Sequence, residues 1–367
     1  MTSSKNYSLK ESLLSLVRLG IGHSVPILPE AIDWQAVKTL ALEQGLSAIT
    51  LDGAQALTDM GKLVNGRAME TSLKKMWIGT VYHSYECKYE DYRRRIGQLA
   101  KFYNEHGFRL MVLKGYGLSL NYPIPQHRQC GDIDIWAFGE YQEADRVLEQ
   151  ELSIPIDKTH HHHTVFRFKG YSVENHYDFV NVNYGHGNKT LEKIFKKMAM
   201  DDSVRIEIDG QIVYLPTANL HALFVLRHTM SHFASTKMNL RQVLDWGFLV
   251  EKHGAEINWP WLLGILDEYH MTDFFLCLNA ICVEDLGFDV SIFPSSQFDA
   301  ALKERVINDT LFSEFDESTP KSILRRIPFK YRRWQANAWK QDLCYQDSRF
   351  KAFWTGVWGH VLKPGMI

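Results

Sequence analysis

A chain of 367 residues is longer than one ordinary hydrophobic core accommodates, so two or three units are expected. With 45% hydrophobic and 23% charged residues and a formal net charge of −2, its composition is that of a soluble globular protein, and bulk electrostatics argue against a general polyanion binder. The scattered Cys87, Cys130, Cys277, Cys282 and Cys344 form no C-x-x-C pair, which suits reduced thiols better than a disulfide framework.

The opening segment, MTSSKNYSLKESLLSLVRLG, has neither a long apolar stretch nor a small-residue cleavage site. No apolar run reaches the roughly 18 residues of a membrane span. A cytoplasmic protein without a transmembrane segment is therefore expected. Residues 1–107 read as helical. LKESLLSLVRL and WQAVKTLALEQGLSAIT repeat apolar residues at three- and four-residue spacings, Asp33 is placed to cap the second, and a long amphipathic stretch from Thr71 ends at Gly107.

The pattern changes at Phe108. FRLMVL reads as a strand, KGYGLSLNY as a tight turn opening a short helix, PIPQHRQC as a loop and DIDIWAF as a second strand. YQEADRVLEQEL then reads as a helix, HHHHTVFRFKG and YSVENHYDFVN as strands joined through Gly170, and DSVRIEIDGQIVYLP as a hairpin turning at Asp209-Gly210. Residues 108–216 thus form a mixed α/β unit. Residues 217–317 return to helical spacing, and 318–367 form a basic aromatic segment with ten Lys/Arg against two Asp.

GDIDIW, residues 131–136, carries the chemistry. On a strand, Asp132 and Asp134 point to one face and Ile133 and Ile135 to the other. Two carboxylates so close repel and lose hydration, which calls for a metal ion, an arginine or exposure at a sheet edge. In YSVENHYDF, Glu174, His176 and Asp178 share a face, and Glu174, nearest the middle of the strand, is the candidate third carboxylate. Such a set suits a hard dication with substrate phosphates. The turn at Lys114-Gly115 places backbone N–H groups for an anion.

The order of glycine turn, D-x-D strand and later strand carboxylate resembles the DNA polymerase β-type nucleotidyltransferase superfamily. LKG-YG-LSLNYP-IP-QHRQCGDIDIW followed by VENH is similar, more narrowly, to an uncharacterised bacterial nucleotidyltransferase family with an LKG…R…DIDI…E-x-H pattern. The similarity runs over about residues 34–270, including LFVLRHTMSHF and LRQVLDWGFLV. It implies an α+β fold, a polymerase β-like mixed sheet flanked by N-terminal and C-terminal helical regions. It also implies transfer of a nucleoside monophosphate from an NTP such as ATP to an acceptor, with pyrophosphate release. Asp132, Asp134 and Glu174 would be the catalytic metal ligands for two Mg²⁺ ions, or Mn²⁺. Lys114, Gly115, Arg128 and His176 would bind the nucleotide, Arg128 and Lys114 facing the departing pyrophosphate and His176 orienting the acceptor or relaying a proton. A small molecule or protein side chain is the expected acceptor rather than nucleic acid.

Lys114-Gly115 stands where most polymerase β-like enzymes have Gly-Ser. Lys114 is read either as a point charge on phosphate or as a counter-ion to Asp132 or Asp134. The second role would suit a catalytically silent nucleotide- or partner-binding scaffold. Elsewhere, the bland readings are these. Within His160–His163, alternate members face opposite sides and one pair lines the cleft. His228 and His232 lack the glutamate of a zincin motif and line the cleft or pack in the core. Arg241 and Asp245 read either as an i,i+4 surface ion pair or as residues at the domain interface facing the site. Residues 318–367 pack their tryptophans against the core, the alternatives being a single-stranded nucleic-acid surface or a membrane- or partner-docking element.

Overall fold

The computed structural model describes residues 2–25, 27–61, 68–182, 187–235, 237–295, 297–313, 315 and 323–345. Helices α1 (Thr2–Gly20), α2 (Trp34–Glu43), α3 (Ser47–Asp59) and α4 (Thr71–Val81) lead through a π-helical turn, Tyr82–Glu86, into α5 (Cys87–Glu105). The Asp33 carboxylate accepts from Ala36 N at 3.0 Å and caps α2. Gly107, at φ +77°, ends α5: its N–H reaches Asn104 O at 3.1 Å, and Phe108 N reaches Tyr103 O at 2.9 Å, the two bonds of a Schellman motif.

Helices α1 and α3 cross at glycines. A Cβ on Gly53 would lie 1.9 Å from Leu16 O, and one on Gly20 would lie 1.9 Å from Ile49 O. Because backbone faces backbone at both points, no side chain can rotate away. Gly53→Ala is expected to separate the helices and destabilise the protein by about 1–3 kcal/mol, the usual range for overpacking. An unchanged urea midpoint would show that the crossing is not tight in solution.

The sheet is built from β1 (Met111–Val112), β2 (Ile133–Trp136), β3 (His163–Phe168), β4 (Tyr171–His176), β5 (Val204–Ile208) and β6 (Gln211–Leu215), in the order β3-β4-β2-β1-β6-β5. Pairs β2–β4 and β1–β6 are parallel, and the others are antiparallel. The hairpin turns at Asp209 (φ 51°) and Gly210 (φ 76°), both left-handed, as a two-residue turn between twisted strands requires. The first strand is shorter than FRLMVL implied. Short α6 (Tyr116–Ser119) follows it, and α7 (Tyr141–Leu152) and α8 (Asn188–Asp201) complete the α/β unit.

Alternation in the strands divides the core. Val112, Ile133, Ile135 and Val173 pack with Tyr92, Ile96, Leu99 and Tyr103 of α5 and with Leu148 of α7. Met111, Leu113 and Trp136 face the opposite way, into a larger core shared by α1–α4 and the later helices. Those helices are α9 (Ala218–Ser235), α10 (Leu240–His253), α11 (Trp259–Glu268), α12 (Thr272–Ala280) and α13 (Ala300–Leu311). A reciprocal capping box between Asn239 and Gln242 starts α10.

Part of the basic aromatic segment is described. Helix α15 (Ala338–Cys344) packs on α9 and α12, and α14 (Ile323–Ala336) packs on α15. Lys340 Nζ lies 2.5 Å from Asp309 Oδ2, with both side chains fully buried. Trp339 meets Phe233 edge-on at 5.5 Å, and Gln341 donates to Ala234 O at 2.9 Å. This agrees with the packing role, although Trp354 and Trp358 lie outside the described residues. Among the described residues, no helix is long and apolar enough to cross a membrane.

Candidate active site

Strand pairing assembles the carboxylates. Asp134 is in register with Glu174 across the parallel β2–β4 ladder, and Trp136 is in register with His176. Asp132 lies just before β2. All three carboxylates line one cavity of about 500 Å³, with Lys114, Gly115, Arg128 and His176 also in its wall. Each predicted site residue is therefore at the cavity. Asp178 is not: β4 ends at His176, and Asp178 turns to Lys196 at 2.5 Å.

The turn after β1 carries Lys114 to Asp134. Leu113 N donates to Asp134 O at 3.0 Å, which extends the β1–β2 pairing by one residue. Gly115 follows at φ +57°, and a Cβ there would lie 2.3 Å from the Tyr92 hydroxyl. That hydroxyl donates to Asp132 O at 2.9 Å, so the glycine turn and the start of β2 share one support. Only glycine meets both the dihedral and the space requirement. The helix after the turn has four residues, too short for a useful helix dipole.

Lys114 Nζ lies 2.7 Å from Asp134 Oδ1 and 3.2 Å from His228 Nε2. Of the two roles open to it, this arrangement is the counter-ion. His176 Nε2 lies 3.2 Å from Asp134 Oδ1 and 3.5 Å from Glu174 Oε2, while its Nδ1 faces Asp178 O at 3.3 Å. Both ring nitrogens thus meet acceptors, which only an imidazolium or a cation at Nε2 reconciles. Burial opposes ionisation of Asp134, but Lys114 and His176 outweigh it and hold the carboxyl well below the usual range. Asp132 is raised instead, by burial and then by Glu174 and Asp134.

Arg128 has a different environment from the one expected. Its Nε and Nη2 donate to Asp245 Oδ1 and Oδ2 at 2.7 and 2.8 Å, with both side chains 5% exposed. Tyr122 Oη adds a bond to Asp245 Oδ1 at 2.7 Å. The remaining Nη1 faces Gln129 O at 3.2 Å. The guanidinium therefore locks the loop before β2 onto α10 rather than extending toward phosphate. Asp245 correspondingly makes no surface pair with Arg241, whose Nη1 reaches Gln129 O at 2.5 Å. The i,i+4 spacing marked both residues, but the partner from a distant loop was not visible in it.

The preceding residue, His127, is clamped between α3 and the π-helical turn, with Nδ1 2.6 Å from Asp52 and Nε2 3.3 Å from Glu86. Burial disfavours its imidazolium, yet the two carboxylates outweigh burial and raise its pKa above 6.5. Its contribution to stability is thus complete below the unfolded value of 6.5 and is lost as pH rises through the folded one. Thermal melts should show His127→Gln most destabilising at acidic pH, the gap to wild type closing as the solution turns alkaline. A gap independent of pH would contradict the clamp.

Helix α9 forms the facing wall with Val225, His228, Thr229 and His232, one helical stripe. His162 and His163 both line the cavity, although consecutive strand residues should face apart. The reason is local: β3 begins at His163, and His162 lies in the preceding bend, its carbonyl accepting Tyr177 N at 3.1 Å and Asp178 N at 3.0 Å. Burial, with His176 adding, brings His162 down to about 2 and His163 to about 3. From the opposite face of the sheet, the Asp145 carboxylate accepts from Thr164 and Asn175, each at 2.8 Å, and holds β3 and β4 together beneath the site. A second cavity of about 520 Å³ opens at the start of β2, where Gly131 and Asp132 meet Lys88, Arg167 and Lys169.

Comparison with known families matches residues 30–287 to the family described as "Uncharacterised nucleotidyltransferase". No curated protein matches the chain. Among solved structures, it is similar to an antigenic nucleotidyltransferase-like protein from Paracoccidioides brasiliensis, at 14% identity and a TM-score of 0.31, over 43% of this chain and 75% of that one. The family match spans well over half of the 367 residues, from the first helical region through the carboxylate strands to the later helices, and the chain belongs to this nucleotidyltransferase family.

Proposed function

We propose that the protein transfers a nucleoside monophosphate from an Mg²⁺-bound NTP to a small-molecule or protein acceptor and releases pyrophosphate. The observation that carries this reading is the registered Asp134–Glu174 pair, with Asp132 just before the same strand, lining one cavity. Lys114 and the His176 ring both contact Asp134, and Asp132 and Glu174 bring two further carboxylates to that side. Oxygen donors of this kind fit Mg²⁺, or Mn²⁺, and Asp132, Asp134 and Glu174 would hold it. When bound, the metal supplies charge neutralisation at the triphosphate and polarisation of the α-phosphorus.

The chain's own residues do the rest. Lys114 balances Asp134 in the free protein and lines the cavity in which the triphosphate would lie. Asp132 lines both cavities, so an acceptor approaching past Lys88, Arg167 and Lys169 meets it first. There Asp132 or Glu174 takes the acceptor's proton as its oxygen attacks the α-phosphorus and the bond to the β-phosphate oxygen breaks. The basic rim suits an acceptor that carries negative charge. His228 and Thr229 of α9 line the cavity wall that faces the sheet.

The Lys114–Asp134 ion pair favours a second reading, a silent scaffold in which lysine replaces metal. Calorimetric titration with ATP and the other NTPs, with and without Mg²⁺, separates the two. Binding that needs Mg²⁺ and disappears in Asp132→Asn/Asp134→Asn supports transfer chemistry. A well-folded wild type that binds no NTP in either condition leaves the scaffold reading.

A further inference from the structure

We propose that His162, His163 and His176 form a metal site, for a borderline dication such as Zn²⁺ or Co²⁺ rather than Mg²⁺, which adjoins the carboxylates at His176. One ligand atom from each of the three rings lies within 4.8 Å of the other two. Three imidazoles on one tetrahedral zinc, at Zn–N of about 2.0–2.1 Å, hold ring centroids roughly 5 Å apart. Here the centroid separations are 4.4 Å for His162–His163, 5.1 Å for His163–His176 and 5.5 Å for His162–His176.

Two independent features point to a ligand. The Nδ1 atoms of His162 and His163 are buried without a hydrogen-bond partner, and His163 is only 7% exposed. Buried polar nitrogens left this way are costly, and a metal satisfies them. His176 also has the outer partner that a ligating histidine needs: its Nδ1 lies 3.3 Å from the Asp178 carbonyl, which orients the ring with Nε2 toward the site. The histidines line the cavity, so a fourth position opens onto it, as in zinc sites that keep an exchangeable position.

The two donor sets share His176, and the remaining ligands distinguish the ions they prefer. Carboxylate oxygens favour Mg²⁺, whereas imidazoles favour zinc-like ions. The inference does not depend on nucleotide transfer, because Mg²⁺–NTP titration and transition-metal loading are read separately. On the opposite wall, His228 and His232 approach each other at 4.4 Å between ring centroids, and they are the natural rival.

The test is titration of the metal-stripped full chain with Co²⁺, followed by visible absorption. One equivalent is expected to give a band that Zn²⁺ abolishes and excess Mg²⁺ does not. His162→Gln and His163→Gln, each checked for native circular dichroism, should each weaken Co²⁺ binding at least about ten-fold, since losing even an outer-shell partner costs that much. His228→Ala/His232→Ala should retain it. Absence of a saturable band, an unaltered band in both glutamine variants, or loss only in the α9 double variant would overturn the proposal.

Discussion

Truncating Asp245 to alanine is expected to destabilise the protein by about 3–5 kcal/mol, the cost of leaving a buried charge without its partner. Arg128 and Asp245 are each 5% exposed and joined by two hydrogen bonds, so neither can recover water without opening the interface between α10 and the loop before β2. Arg128→Met should cost a similar amount. The double variant Arg128→Met/Asp245→Leu should cost less than the sum of the single changes, because each removes what the other left unpaired. Urea unfolding of the three variants measures this. Strictly additive losses, or a loss under about 1 kcal/mol for Asp245→Ala, would show that Arg128 does not need the helix and would return it to the phosphate role.

Lys114→Met should produce the other large effect, and it should depend on metal. Asp134 is 6% exposed and keeps only His176 once the lysine is gone. Without divalent ions, the change is expected to cost about 3 kcal/mol. With Mg²⁺ or Mn²⁺ present, a cation binding only the folded state restores stability by mass action. The melting temperature of Lys114→Met should therefore rise more on metal addition than that of wild type. Equal shifts would mean that the lysine does not occupy a position a metal also uses. A large loss with no metal response would favour the scaffold reading of the site.

These two cations show where sequence reasoning reached its limit. Asp132, Asp134 and Glu174 were legible because strand periodicity assigns faces without knowledge of neighbours. The parallel β2–β4 register then set Asp134 beside Glu174. Gly115 was legible as a turn, but its closeness to the Tyr92 hydroxyl was not, since α5 comes from the helical region before the sheet. Arg128 was expected to face the departing pyrophosphate, and the structure places it in the cavity wall. Its engagement with Asp245, 117 positions away, is a tertiary fact. The paired use of His162 and His163 was missed for a different reason: alternation fails at the bend before a strand begins.

The sequence by itself determined the order of helices and strands, the hairpin at Asp209-Gly210, the helix stop at Gly107, and the face on which the acidic residues gather. These depend on dihedral preference and on periods of 2 and 3.6, which are local. The tertiary structure decided which charges meet. It placed Lys114 on Asp134, gave Arg128 to α10, brought α9 over the carboxylates and turned two adjacent histidines into one cavity. Those outcomes depend on packing between segments far apart in the chain, where the cost of burying a charge alone selects its partner, and no local pattern records that choice.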